Sequence, residues 1–114
     1  MRRKICFVTG TRAEYGLLRP VMNLLKTDSD VVFQLVVTGS HLSERHGETV
    51  NEIKGDGFTP DAKLTVDLSN DSRVAVAVAM ANTTAQMAET FSQLAPDLIV
   101  VLGDRYEILA TAQA

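Results

Sequence analysis

Two polar segments of this 114-residue sequence carry the residue types that bind a diphosphate and move a proton. Segment 10–16 contains Arg12, and segment 103–107 contains Asp104 and Arg105. Guanidinium groups near helix N-termini form an anion site that suits a diphosphate. A neighbouring carboxylate can transfer a proton. The sequence therefore predicts an anion site with an acid–base group, provided that the fold brings the two segments together.

The strands and helices predicted around these two segments would bring the segments together. Apolar runs alternate with helical patterns, which predicts strands at 4–9, 31–38, 62–66 and 97–102 and helices beginning near residues 16, 45, 70 and 106. Continuous apolar strands between helices are typical of a parallel sheet covered on both faces. Right-handed crossovers then give a doubly wound, Rossmann-like α/β fold. In the strand order 3-2-1-4, both polar segments lie at the switch point between the first and fourth strands.

Two helices need an argument beyond the general pattern. Proline is tolerated in a first helical turn, so Pro20 predicts that the first helix begins near Gly16. Segment 74–79 alternates like a strand, but small and apolar residues continue at helical spacing beyond it. This series favours a long helix and consists of Val74, Ala77, Val78, Ala81, Ala85, Ala88 and Phe91.

A purely structural interpretation of the same residues is also open. Asp104 can cap the last helix, and Arg12 can pair with Glu14 or Asp104 as part of the scaffold.

The glycines of both segments would let a ligand approach the backbone closely. Segment 10–16 matches neither the dinucleotide fingerprint nor the P-loop, which disfavours NAD and ATP. His41 follows the second strand and is a further candidate for the substrate site.

Several classes of protein and site are disfavoured by composition. The net charge of −3 argues against a broad nucleic-acid surface. Two histidines and one cysteine form no zinc pattern. Cys6 lies in an apolar run, which predicts a buried thiol and a reducing compartment. No stretch is long enough to span a membrane, so we expect a cytoplasmic protein. Glutamates 44, 48 and 52 predict a solvated helix face.

Three segments resemble the UDP-N-acetylglucosamine 2-epimerase family, in the order that the family has them. Segment 8–18 reads Val-Thr-Gly-Thr-Arg-Ala-Glu-Tyr-Gly-Leu-Leu, and its Ala-Glu-Tyr is similar to the hydrolysing, sialic-acid-pathway branch. Segment 37–42 reads Val-Thr-Gly-Ser-His-Leu. Segment 96–107 reads Pro-Asp-Leu-Ile-Val-Val-Leu-Gly-Asp-Arg-Tyr-Glu. Together they span nearly the whole chain.

The resemblance implies a two-domain, glycosyltransferase-B-like fold, of which residues 1–114 would be part of the N-terminal domain. It implies conversion of UDP-N-acetylglucosamine (UDP-GlcNAc) and water into UDP and N-acetylmannosamine, without NAD or a catalytic metal. Arg12 and Arg105 match UDP-contacting arginines, and Asp104 matches a catalytic aspartate. Gly16 stands where some relatives place a UDP-contacting serine, so here only its backbone can contact UDP. Glu107, which ends the third segment, is with His41 a candidate for the substrate site.

The family's other catalytic carboxylates and its second domain lie beyond residue 114. We therefore expect the full-length protein to be the enzyme, a homo-oligomer, and the 114-residue chain alone to be inactive and to self-associate through an exposed apolar edge. Three alternatives stay open. They are the same chemistry on a UDP-2,4-diacetamido-trideoxy sugar, a glycosyltransferase of the same architecture, and a non-enzymatic flavodoxin-like binding module.

Overall fold

The computed structural model describes residues 2–42, 49–66, 72–103 and 106–114. Within these ranges strands and α-helices alternate, as the sequence predicts. They are β1 Arg3–Thr9, α1 Arg12–Lys26, β2 Val31–Thr38, α2 Val50–Gly55, β3 Ala62–Leu64, α3 Arg73–Leu94, β4 Leu98–Val100 and α4 Tyr106–Gln113. A short 3₁₀ helix, Gly39–Leu42, follows β2.

The strands form one parallel sheet in the order β3-β2-β1-β4. Residues 3–9 of β1 lie opposite residues 31–37 of β2, and residues 5–7 lie opposite residues 98–100 of β4. β2 and β3 are added on one side of β1, and β4 is then added on its other side. The strand order therefore reverses between β1 and β4, which confirms the predicted switch point.

Each face of the sheet has its own hydrophobic core, because successive side chains on a strand point to opposite sides. α1 and α2 cover one face, where the buried residues are Phe7, Tyr15, Leu18, Met22, Leu35, Val37, Val50, Ile53 and Phe58. α3 covers the other, where Met87 packs with Cys6, Val8 and Val36. α4 packs against α3. The prediction of a doubly wound α/β fold and that of a buried Cys6 are both confirmed.

The predicted start of α1 is wrong by one helical turn. The helix begins at Arg12, not near Gly16, and Pro20 lies inside it. Thr11 is the N-cap, and its hydroxyl accepts the amide hydrogen of Glu14. This cap fixes the first turn, while Pro20 removes only one later hydrogen bond, the one that its missing N–H would give to the Gly16 carbonyl.

The helical prediction for segment 74–79 is confirmed, but the stripe that supports it is not the buried one. The buried residues of α3 are Ala79, Thr83, Met87 and Thr90, whereas Val74 and Val78 are exposed. Thr83 can be buried because its hydroxyl donates to the Ala79 carbonyl.

The remaining predicted boundaries differ by a few residues. Strands β3 and β4 are shorter at their ends than segments 62–66 and 97–102. α3 begins after Ser72, whose side chain accepts the Ala75 amide hydrogen. Much of the predicted first half of the second helix falls in 43–48, outside the described residues. Within the described ranges, no helix is both long enough and apolar enough to cross a bilayer.

Candidate functional site

The carboxyl ends of β1, β2 and β4 meet at one edge of the sheet, and the candidate site is built there. β1 leads through Gly10 into α1, so Arg12 stands in the first turn of that helix. β2 leads into the 3₁₀ helix that contains His41. β4 leads towards α4 past Gly103. Asp104 and Arg105 lie outside the described residues, so their predicted roles stay predictions.

The start of α1 is closed by a capping box. The carboxylate of Glu14 accepts hydrogen bonds from the backbone amides of Gly10 and Thr11, the latter at 3.1 Å. The Thr11 side chain reciprocates by accepting the Glu14 amide at 3.5 Å. Of the amides at this helix N-terminus, those of Thr11 and Glu14 are thus engaged within the chain. A diphosphate near α1 therefore has fewer amide donors to use, which adds to the importance of side-chain donors such as Arg12.

Glycines at this edge make room for carboxylates of the chain itself. A Cβ on Gly10 would lie 3.2 Å from Glu107 Cγ and 3.4 Å from Glu14 Oε1. On Gly103, whose φ is +109°, it would lie 2.8 Å from Glu14 Oε2. At Gly10 and Gly103 the groups that lie in the direction of a Cβ are thus side chains of the protein, whereas Gly16 faces open space. The expectation that a ligand approaches these glycines stays a prediction.

Glu107, a predicted substrate-site residue, is fully buried beneath the β1–α1 turn. Its Oε1 lies 3.2 Å from the position that a Cβ on Gly39 would take. Burial, and then the charge of Glu107, raise the pKa of the nearby Glu14 carboxyl, against the lowering effect of its hydrogen bonds to Gly10 and Thr11. As placed here, Glu107 supports the turn from below and does not face solvent.

His41, the other substrate-site candidate, is also fully buried. Its Nε2 lies 2.9 Å from Thr9 Oγ1, and its Nδ1 lies 2.7 Å from Thr49 Oγ1. The Tyr15 ring packs against it nearly at right angles, with 6.0 Å between the ring centroids. Burial lowers the His41 pKa to about 4, which keeps the ring neutral at physiological pH. His41 thus connects the end of β1 to the residue before α2.

Arg12 is the predicted diphosphate ligand that the described residues do present to solvent. Its Nε donates to Glu52 Oε2 at 2.8 Å, and its Nη2 donates to Oε1 of the same carboxylate at 3.3 Å. The pairing partner is thus Glu52, and not Glu14 as the scaffold interpretation allowed. Gly16 lies one turn further along α1, is exposed, and has open space where a Cβ would be. Arg12 and Gly16 therefore share an accessible face of α1.

Sequence reasoning missed Glu14 and Glu52. Glu14 had a readable signal, because Thr11-Arg12-Ala13-Glu14 has the Thr-x-x-Glu spacing of a capping box. Glu52 had none, since it belongs to a helix 40 residues away from Arg12 and looked like part of a solvated face. Among the described residues, no group of three or more His, Cys, Asp or Glu side chains is placed to hold a metal ion.

Comparison with known proteins identifies a family and several relatives that are similar to this chain. Residues 23–114 match the family described as UDP-N-acetylglucosamine 2-epimerase. A Legionella pneumophila protein named UDP-N,N'-diacetylbacillosamine 2-epimerase (hydrolyzing) is 44% identical over 114 residues, which cover 100% of this chain and 30% of that protein. A Campylobacter jejuni protein named GDP/UDP-N,N'-diacetylbacillosamine 2-epimerase (hydrolyzing) is 39% identical over 111 residues, covering 97% of this chain and 29% of that protein.

A solved structure agrees with the fold. A crystal structure of a UDP-N-acetylglucosamine 2-epimerase superposes with a TM-score of 0.83 at 22% identity, covering 98% of this chain and 30% of that one. The chain thus spans about 30% of the length of the relatives that it matches. The family match covers most of the chain, and the chain belongs to the UDP-N-acetylglucosamine 2-epimerase family.

Proposed function

We propose that the full-length protein containing this chain is a hydrolysing 2-epimerase that converts UDP-GlcNAc and water into UDP and N-acetylmannosamine. The observation that carries the proposal is the placement of Arg12 at the start of α1, beside the switch point, with its guanidinium exposed. A nucleotide sugar bound at this edge would bring its diphosphate to that guanidinium. The word "hydrolyzing" in the names of both relatives supports the choice of reaction.

The proposed reaction has two stages. In the first, a base removes the proton from C2 of the sugar, the C1–O bond breaks, and UDP leaves with the bonding electrons to give a 2-acetamidoglucal. In the second, water supplies a hydroxyl to C1, and a proton returns to C2 from the opposite face. Asp104 would transfer one of these protons, an assignment that follows from the family resemblance.

The departing diphosphate needs positive charge as its bond to C1 breaks. Arg12 and, by resemblance, Arg105 would stabilise the negative charge that develops there. Because the capping box engages the amides of Thr11 and Glu14, the guanidinium groups would carry most of this stabilisation. Gly16 would contribute through its backbone. The route requires neither NAD nor a metal.

A second candidate substrate is UDP-N,N'-diacetylbacillosamine, which both relatives carry in their names. It shares the features on which the reaction depends, namely UDP on C1 and an acetamido group at C2, and it differs elsewhere on the ring. Arg12 and the diphosphate chemistry fit both sugars equally.

The test uses the complete reading frame that encodes this chain. We would incubate the purified protein with either UDP-sugar in heavy water and follow the reaction by proton NMR. A free 2-epimerised sugar carrying deuterium at C2, with UDP released in equal amount, is the expected result. The sugar that reacts with the higher kcat/KM identifies the substrate.

Asp104→Asn, with Asp30→Asn in an exposed turn as the matched control, completes the test. The proposal expects turnover to fall at least about 100-fold in the first variant only. Sugar transferred to an acceptor, or tight UDP binding with no release of free sugar from either substrate, would refute the hydrolysing reaction. The 114-residue chain alone is expected to give no turnover.

Location and assembly complete the proposal. We propose a cytoplasmic enzyme, on the strength of its single, buried cysteine. We also propose a homo-oligomer, on the strength of its exposed apolar side chains, of which Leu17 and Leu24 of α1 are each more than 70% exposed.

A further inference from the structure

The guanidinium of Arg12 is held along one edge. Nε and Nη2 both donate to the carboxylate of Glu52, at 2.8 and 3.3 Å. A guanidinium is planar and offers a second edge of donors, formed by Nη1 and Nη2. A carboxylate on the first edge fixes the plane of the group, and the second edge is then a preset site for a second oxyanion.

The helix that carries Glu52 is anchored at both ends. Before α2, the Thr49 hydroxyl is bonded to His41, and the Thr49 carbonyl accepts the Glu52 amide at 3.0 Å. After α2, the Asp56 carboxylate accepts the Tyr15 hydroxyl hydrogen at 2.6 Å. Between these points Val50 and Ile53 are buried against the sheet. Glu52 therefore projects from a fixed platform towards the first turn of α1.

Within the part of the chain that the structure describes, the Glu52 carboxylate is the group that orders the Arg12 side chain. The side chain is 69% exposed, against 39% for that of Glu52. An exposed arginine samples many rotamers, and ordering it when a ligand binds costs affinity. Glu52 does this ordering beforehand. Its negative charge opposes an incoming diphosphate, but water and salt screen that repulsion at an exposed site.

We propose that Glu52 is a positioning residue, which holds the Arg12 guanidinium with its second edge turned to the diphosphate of the nucleotide sugar. The inference rests on the proposed function, because it assigns to Arg12 the binding of a diphosphate. Glu52 itself need not touch the substrate, since it acts through Arg12.

The test is UDP binding to the full-length protein, measured by titration calorimetry. Glu52→Ala is expected to weaken UDP binding about tenfold, and Glu52→Gln, which keeps one acceptor for Arg12, by less. Glu89→Gln, an exposed glutamate on α3, is the matched control and should bind like the wild type. KM for the UDP-sugar should rise with the loss of UDP affinity. Because the pair is exposed, the melting temperature should not move.

The decisive measurement repeats Glu52→Ala in an Arg12→Ala background. A residue that acts through Arg12 has nothing left to act on there, so the second substitution should cost no further affinity. The inference is wrong if Glu52→Ala leaves UDP affinity unchanged or raises it, or if its cost persists without Arg12. Coupled UDP binding without epimerisation would uphold the inference and reject the proposed reaction. A wild-type protein that binds no UDP would reject both.

Discussion

The imidazole Nε2 of His41 lies 2.9 Å from the hydroxyl oxygen of Thr9, with both side chains buried at the carboxyl edge of the sheet. On the far side of the ring, Nδ1 is bonded to Thr49. A neutral imidazole offers one donor and one acceptor, and each hydroxyl can take either role, so both ring nitrogens have a partner. Burial, and not the hydrogen-bond pattern, is what disfavours the charged ring. The histidine in the middle of the site is thus a structural connection between β1 and α2.

This connection predicts a loss of stability in acid. The pKa of His41 is near 4 in the folded protein, against an ordinary 6.5, so the unfolded chain takes up the proton first as the pH falls. Its contribution to stability is complete above about pH 6.5 and declines towards pH 4, by up to about 1.4 kcal/mol per pH unit.

The measurement is the melting temperature of the full-length protein between these pH values. His41→Gln should be less stable at pH 7.5 and should show a flatter dependence on pH. His46→Gln, which replaces the second histidine of the 114-residue chain, is the matched comparison. An equal flattening in both variants, or none in either, would contradict the assignment to His41.

The fold was predictable because its signals are local and mutually consistent. The four apolar runs and the helical patterns between them indicated a parallel doubly wound sheet, and the order that is common in such sheets placed the switch point correctly. Boundaries were less predictable where two local rules compete, as at α1, where the Thr11 cap outweighs the signal of Pro20. The buried face of α3 was missed because threonines that bond their own helix backbone, such as Thr83, replace apolar residues there.

The sequence indicated which residues to place in a candidate site, but not their contacts. Arg12 and Gly16 are exposed, as a binding role would require, and that role stays a prediction. The pairing of Arg12 with Glu52 depends on where a separate helix packs, and no local pattern encodes that. The burial of Glu107 likewise depends on the close approach of Gly10 and Gly39, which only the assembled sheet provides.

Gly39 should be intolerant of any side chain. Its φ is +62°, and an added Cβ would lie 2.7 Å from the Gly10 carbonyl oxygen, a backbone atom that cannot move aside easily. We expect Gly39→Ala to destabilise the protein by at least about 2 kcal/mol in thermal or urea unfolding. Gly55→Ala is the control, because a Cβ there meets no atom within 4 Å. Similar losses in both variants would show that the tight approach at Gly39 is not the cause.

The fold should tolerate a side chain at position 16, and the type of side chain placed there should change the affinity for UDP. A Cβ there enters open space, and glycine weakens a helix interior, so Gly16→Ala should stabilise the protein by about 0.5–1 kcal/mol. Gly16→Ser adds a hydroxyl on the face shared with Arg12, and we expect it to bind UDP more tightly than Gly16→Ala. Equal UDP affinities, measured by calorimetry, would place the nucleotide away from this face.

The outer edge of β4 should drive self-association of the 114-residue chain when it is expressed alone. β4 ends the order of the described strands, and its Leu98 is 55% and its Ile99 38% exposed. An open strand edge flanked by apolar side chains pairs readily with another copy. A lysine at such an edge opposes pairing, so Ile99→Lys should shift the chain towards monomer in size-exclusion chromatography with light scattering. Gln93→Lys, on the exposed side of α3, adds the same charge elsewhere. If both lysines dissociate the chain equally, net charge and not the β4 edge governs its association.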